Sequence, residues 1–395
     1  MASGLKVRLV PADNGACGMY RMREPVRVTK HALGWDIRTG FAYQRDIKGL
    51  DVLVIQRPMH RVLPEFHIPE LQRQGVAVVI EIDDDFAALP ADNLAFRFTH
   101  PKRDPDLNVH WLKRATAIAD LVTCTTPALA RRYAPHGRYV VIPNYVPASY
   151  LDVPHTGDGN TVGWAGTLYF HANDLDVCGM GVAQALRDKV GSRFLALGDP
   201  RTAEALRITD CRHDYQEFVP LNEYPNQLAR FDIGLVPLAD NGFNNGKSAL
   251  KMTEYAACGV VPVVTPSPDN LRLHNDHGIG VLARRPRDWQ RAISTYLVDK
   301  EMRAEKVTEW RKTVADHLVI EHHANEWFSA WRTAVINRYA TTNTAHTGVS
   351  SDAVPRPAHL PPVWEGQPGS LPVLSPTLAR LTVGQRYNRT VGETP

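Results

Sequence analysis

The stretch NNGKSALKMTEYAACGVVPVVTPS, residues 244–267, decides the fold. An Asn-Asn-Gly turn leads into helix formers, Gly259 stops them, and a Val-rich strand pattern follows. The charges run backwards for a helix, with Lys247 and Lys251 at the start and Glu254 near the end. On a wheel of about 100° per residue the three form one narrow stripe, while Leu250 and Ala257 fall elsewhere and can face a sheet. The plainer reading is a solvated face whose ion pair contributes at most about 0.5 kcal/mol. The preceding loop, ADNGFNNG, favours a second reading. Its amides, the helix N-terminus and two lysines make a site for an anion. Glu254 lies about 10 Å further along the axis, where a carboxylate accepts from vicinal hydroxyls. A diphosphate followed by a ribose matches that order.

Outward from this stretch, short apolar runs alternate with helix-like segments. LKVRLV, DVLVIQ, VAVVIEI, LVTCTT and YVVIP read as buried parallel strands in the first 150 or so residues. The series restarts with TVGWAG, RFLALGD, DIGLVPL and GVVPVV. Two βαβ series predict an α/β protein with two Rossmann-like, doubly wound domains that bind ligands at the carboxyl ends of their strands. The expected boundaries are 1–147, 148–320, a return helix at 321–340 and an extended Pro-rich tail at 341–395, with seven prolines between Pro355 and Pro376. The tail could dock on its own or another subunit.

Composition excludes several classes. A net charge of +3 over 395 residues does not point to nucleic acid. Five scattered cysteines without a C-x-x-C pair argue against a disulfide framework or structural zinc. No signal-peptide pattern or membrane-length apolar run is present, so a cytoplasmic protein is expected, peripheral membrane contact aside.

The segment from Phe231 to Pro266, with its K-S-x-L-K-x-x-E-Y-x-A-x-G core, resembles the donor-binding segment of GT-B glycosyltransferases, closest to family 4. VGWAGT, FLALGD, EFVP and YVVIPNYV resemble other parts of that fold over roughly residues 6–340. The resemblance implies two domains facing across a cleft and glycosyl transfer from a nucleotide-sugar, UDP- or GDP-linked, to a glycan, glycolipid or protein acceptor. It implies retention of configuration, with neither metal nor cofactor. Lys247 and Lys251 would stabilise the leaving diphosphate, and Glu254 would hold the ribose. Gly246, Ser248, Gly18, Gly166, Thr167 and Val219 would line the donor site. The chain departs from the family at two places. Gly246 stands where an acid pairs with the ribose-binding Glu, and Trp164, Thr167 and His171 stand where an Arg and a Lys follow the first strand of the second domain. The IEIDDDF and GACGMYR segments resemble glycosyltransferases of actinobacteria and their phages.

Three further features bear on chemistry. The glycine turn DNGACGMYR, with Gly15 and Gly18, lets the backbone approach a ligand. Asp83-Asp84-Asp85 ends a strand at the expected cleft; Asp85 is the candidate for acid/base work, in preference to a D-x-D metal site. His100 is the candidate first-domain imidazole, among His60, His110 and His171. GFNNGKS falls short of a Walker A loop because Asn241 occupies its first glycine position. A nucleotide-sugar epimerase, or a non-catalytic binding protein of the same fold, remains an alternative.

Overall fold

The computed structural model describes residues 4–33, 35–40, 49–100, 103–104, 106–171 and 173–346. Most of the expected Pro-rich tail, residues 347–395, lies outside them. Two parallel six-stranded sheets dominate. The first comprises β1 (Lys6–Val10), β2 (Asp36–Thr39), β3 (Val52–Gln56), β4 (Ala77–Ile82), β5 (Leu121–Cys124) and β6 (Tyr139–Val141). Its order is β2-β1-β3-β4-β5-β6. The second comprises β7 (Thr161–Ala165), β8 (Arg193–Leu197), β9 (His213–Gln216), β10 (Ile233–Val236), β11 (Val261–Val264) and β12 (Val281–Leu282). Read from β9, its order is β9-β8-β7-β10-β11-β12, the Rossmann order.

The continuous apolar runs form strands because both sheet faces are covered. Every residue of β3, β4, β5, β7, β10 and β11 is buried. Three strands had no clear apolar signal. Asp36–Thr39 and His213–Gln216 are partly exposed edges, and Val281–Leu282 is two residues long.

The chain crosses between the sheets twice, side by side. Val146, in the link after β6, pairs with Val319 in a parallel bridge. Tyr145 stacks on His323 with ring centroids 3.7 Å apart. The helix Ala324–His346 then packs against the helix Glu24–Leu33 and strands β3–β5. It buries Trp327 and Trp331 and runs past residue 340, where the sequence reading begins the tail. Each sheet reverses strand order once, between β1 and β3 and between β7 and β10. Crevices at those reversals are where open α/β sheets place ligands.

Candidate active site

The segment 244–267 divides differently from the sequence reading. Asn244–Gly246 is a 3₁₀ turn, and Lys247 is extended at φ −70°, ψ 144°. The helix begins only at Leu250 and ends at Ala257, with Gly259 at φ +77° as its C-terminal stop. Lys247 therefore approaches the cleft from the loop, and no stripe on the helix includes it. The amide of Ala249, at the helix N-cap, already donates to Asp269 Oδ2 at 2.7 Å. An anion would thus meet the lysines and loop before this end of the helix.

The loop itself is tied down by a buried carboxylate. Asp174 Oδ1 accepts from the Ala239 amide at 2.9 Å and from Asn244 Nδ2 at 2.6 Å, closing both ends of ADNGFNNG. Its Oδ2 meets His171 Nδ1 at 2.7 Å.

Lys251 Nζ donates to the carbonyl of Ala165, the last residue of β7, at the sheet's reversal. Burial lowers its pKa, with Glu254 opposing and Lys247 reinforcing. Glu254 is 5% exposed; its Oε1 accepts from Tyr20 Oη at 2.5 Å, and Tyr20 Oη meets Tyr150 Oη at 2.6 Å. Burial raises the Glu254 pKa, opposed by Lys251 and the Tyr20 bond. Oε2 has no bond to the described residues, so it is free to accept from a ligand.

Across the cleft stands the first domain. Lys247 Nζ lies 3.5 Å from Asp84 Oδ1 and 4.4 Å from the Phe243 ring centroid. Burial raises Asp84, against the pull of Lys247. Asp85 corrects the sequence reading. Its Oδ2 lies 2.6 Å from Arg132 Nε and its Oδ1 accepts from Tyr133 Oη at 3.2 Å, so it braces the first domain. The chain bends at Asp84, just past the end of β4, and it is Asp84 rather than Asp85 that meets Lys247. Asp83 is held by Arg57 Nε at 3.4 Å, and Arg57 also pairs with Asp13. Arg57 adopts the left-handed region at φ +49°, a cost more often found beside functional sites.

The remaining candidates separate. Gly18 is required sterically, since a Cβ there would fall 2.0 Å from the Asp13 carbonyl oxygen; its amide donates to Asp13 Oδ1 at 3.1 Å. Gly166 and Thr167 follow β7 beside the Lys251 anchor. A Cβ on Gly166 would meet the Trp164 ring at 2.5 Å. Val219 lies in the loop after β9. Ser248 Oγ accepts from Asn144 Nδ2 at 2.7 Å, which turns it to the interdomain link instead of the loop 239–246. His100 packs on Phe96, with ring centroids 4.4 Å apart, in the turn after Leu94–Phe98. The imidazole among the cleft charges is His171, which interacts electrostatically with Lys247, Lys251 and Asp84. The sequence reading placed it where the resemblance expects an Arg and a Lys, yet chose His100; an Asp three residues after the His is the signal that could have reversed the choice. Gly246 has little room for the family's acid. A Cβ there would sit 3.2 Å from Asp85 Cβ and 3.3 Å from Leu129, and its carbonyl accepts from Thr126 Oγ1 at 3.0 Å.

Comparison with known proteins supports the fold. A family model described as glycosyl transferase-like matches residues 182–329. No curated protein matches the chain. The structure is similar to that of Anabaena Alr3699/HepE in complex with UDP, with TM-score 0.54 and 11% identity over 87% of this chain and 100% of that one. It is likewise similar to the catalytic domain of Arabidopsis thaliana Starch Synthase IV bound to ADP and acarbose, with TM-score 0.54 and 11% identity over 84% and 100%. Against S. aureus TarM the TM-score is 0.49 with 12% identity, over 65% of this chain and 51% of that one; the chain spans about half that protein's length. The fold is GT-B: two Rossmann-like domains facing across a cleft.

Proposed function

We propose that the protein transfers a glycosyl group from a nucleoside-diphosphate sugar to an acceptor held mainly by the first domain. One observation carries this reading. Lys251 is anchored at the strand-order reversal of the second sheet, within electrostatic reach of Lys247 and Glu254, and Asp84 faces Lys247 from the first domain. The lysines would stabilise charge developing on the leaving diphosphate, the largest contribution expected in such chemistry. The open oxygen of Glu254 would accept from the ribose hydroxyls. Asp84 would supply, from the opposite domain, the carboxylate that Gly246 does not carry, and so contact the donor sugar. The UDP and ADP of the similar structures support a nucleoside diphosphate as the group bound here. Retention of configuration without metal is the expectation carried by the sequence resemblance to family 4. A UDP- or GDP-linked donor is expected, and a glycan, glycolipid or protein is the acceptor class.

Thermal-shift measurement with UDP, GDP, ADP and TDP tests the reading first. A ligand at 100 times its Kd stabilises by about 2.7 kcal/mol. One nucleotide should raise the Tm of the wild type and lose most of that effect in Glu254→Ala. No shift from any of them at millimolar concentration would overturn the assignment. Turnover of the matching sugar donor that needs an acceptor separates transfer from epimerisation.

A further inference from the structure

The turn after β7 carries an imidazole, His171, held by a buried carboxylate. His171 Nδ1 is 2.7 Å from Asp174 Oδ2. Asp174 is 3% exposed and has its other oxygen committed to Ala239 and Asn244, so it acts as a rigid anchor. A carboxylate only accepts, which places the imidazole proton on Nδ1 and the lone pair on Nε2. Nε2 has no partner among the described residues, and the side chain is 22% exposed. The groups around the ring are Asp174 on its own turn, Lys247 from the donor loop, Lys251 from the following helix and Asp84 from the first domain; the Trp164 ring lies edge-on at 6.3 Å.

With Nδ1 committed to Asp174, the ring can offer an anion held by the two lysines only Nε2, which in the neutral imidazole carries a lone pair. That arrangement is repulsive unless Nε2 gains a proton. We propose that His171 is a ligand of the donor's diphosphate and binds it as imidazolium, so that donor binding takes up one proton from solvent at Nε2. The inference rests on the donor site proposed above and names a further contact within it. In the unliganded protein, burial lowers the pKa of His171, and Lys247 and Lys251 push the same way against Asp174. A diphosphate reverses the local field and raises it. Affinity is then greatest below the unliganded pKa and weakens as pH rises toward the liganded value, by about tenfold for each unit between the two.

The test is calorimetric titration of UDP, GDP and ADP into the full chain, at about pH 7.5, in buffers of different ionisation enthalpy. His171→Lys supplies a fixed cation and cancels the nucleotide's own ionisation; His171→Gln removes the charge. Wild type is expected to take up protons relative to His171→Lys, and to lose up to about tenfold more affinity than that variant between about pH 6 and 8.5. His171→Lys should retain binding and His171→Gln should weaken it at the lower pH. Binding of a nucleotide without excess proton uptake in wild type would overturn the proposal. Equal loss of binding in both variants, with a matching fall in Tm, would also overturn it by making His171 structural. Failure of every nucleotide to bind wild type would instead sink the donor-site reading on which it stands.

Discussion

Tyr20 and Glu254 show how one hydrogen bond joins the domains at the site. Tyr20 comes from the segment after the first glycine turn, yet its hydroxyl donates to the carboxylate of the second domain. In Tyr20→Phe that carboxylate stays buried without this donor, which should cost about 1–3 kcal/mol in chemical denaturation. The same variant should weaken nucleotide binding, because Glu254 loses its fixed orientation. Arg21, the next residue, makes a stronger case. It pairs with Glu81 at 2.7 Å with both side chains almost wholly buried, and Thr123 completes the carboxylate's bonds. Arg21→Met should destabilise by about 3–5 kcal/mol, since it strands a buried charge; adding Glu81→Leu should recover much of the loss. Neither pairing was legible in the sequence. Glu81 reads as one residue of an apolar strand, and its partner lies sixty positions away.

At the scale of the element, the segment 244–267 was read correctly as loop, helix and strand but with the wrong helix start. Helical periodicity extends backwards from Leu250 through Lys247 on the wheel, while the backbone does not. Asp269, from the next helix, takes the Ala249 amide and fixes the N-terminus there. Asp269→Ala should lower stability by about 1 kcal/mol, as loss of a helix cap does, and should loosen Lys251 as well. A circular-dichroism melt alongside nucleotide titration reads both effects. The acid run after β4 teaches a similar lesson. Three consecutive aspartates are equivalent by composition; the neighbours Arg57, Lys247 and Arg132 assign them three separate tasks.

For the whole molecule, two parallel chain crossings set how the domains meet. His323, stacked on Tyr145, also bonds Glu326 through Nδ1 at 2.8 Å and the His317 carbonyl through Nε2 at 2.8 Å. Burial disfavours its imidazolium, but these two acceptors outweigh burial and raise its pKa. A raised imidazole pKa stabilises the fold at pH below the unfolded value, and the contribution is lost as pH rises through the folded value. Tm measured from about pH 8.5 down to 6 should therefore rise more in wild type than in His323→Gln. Among the described residues no helix is long and apolar enough to cross a membrane.

The sequence alone determined that there are two βαβ series, because strands buried on both faces must be continuously apolar and the helices between them must not be. It also marked Lys247, Lys251 and Glu254 as one group, because their charge order made no sense for an isolated helix. Only the tertiary structure decided what each of them touches. Asp84 faces Lys247, the Ala165 carbonyl holds Lys251 and Tyr20 holds Glu254, all across long sequence separations. Periodicity reports which face of an element is buried. It carries no information on which distant side chain meets that face, and here those meetings make the site.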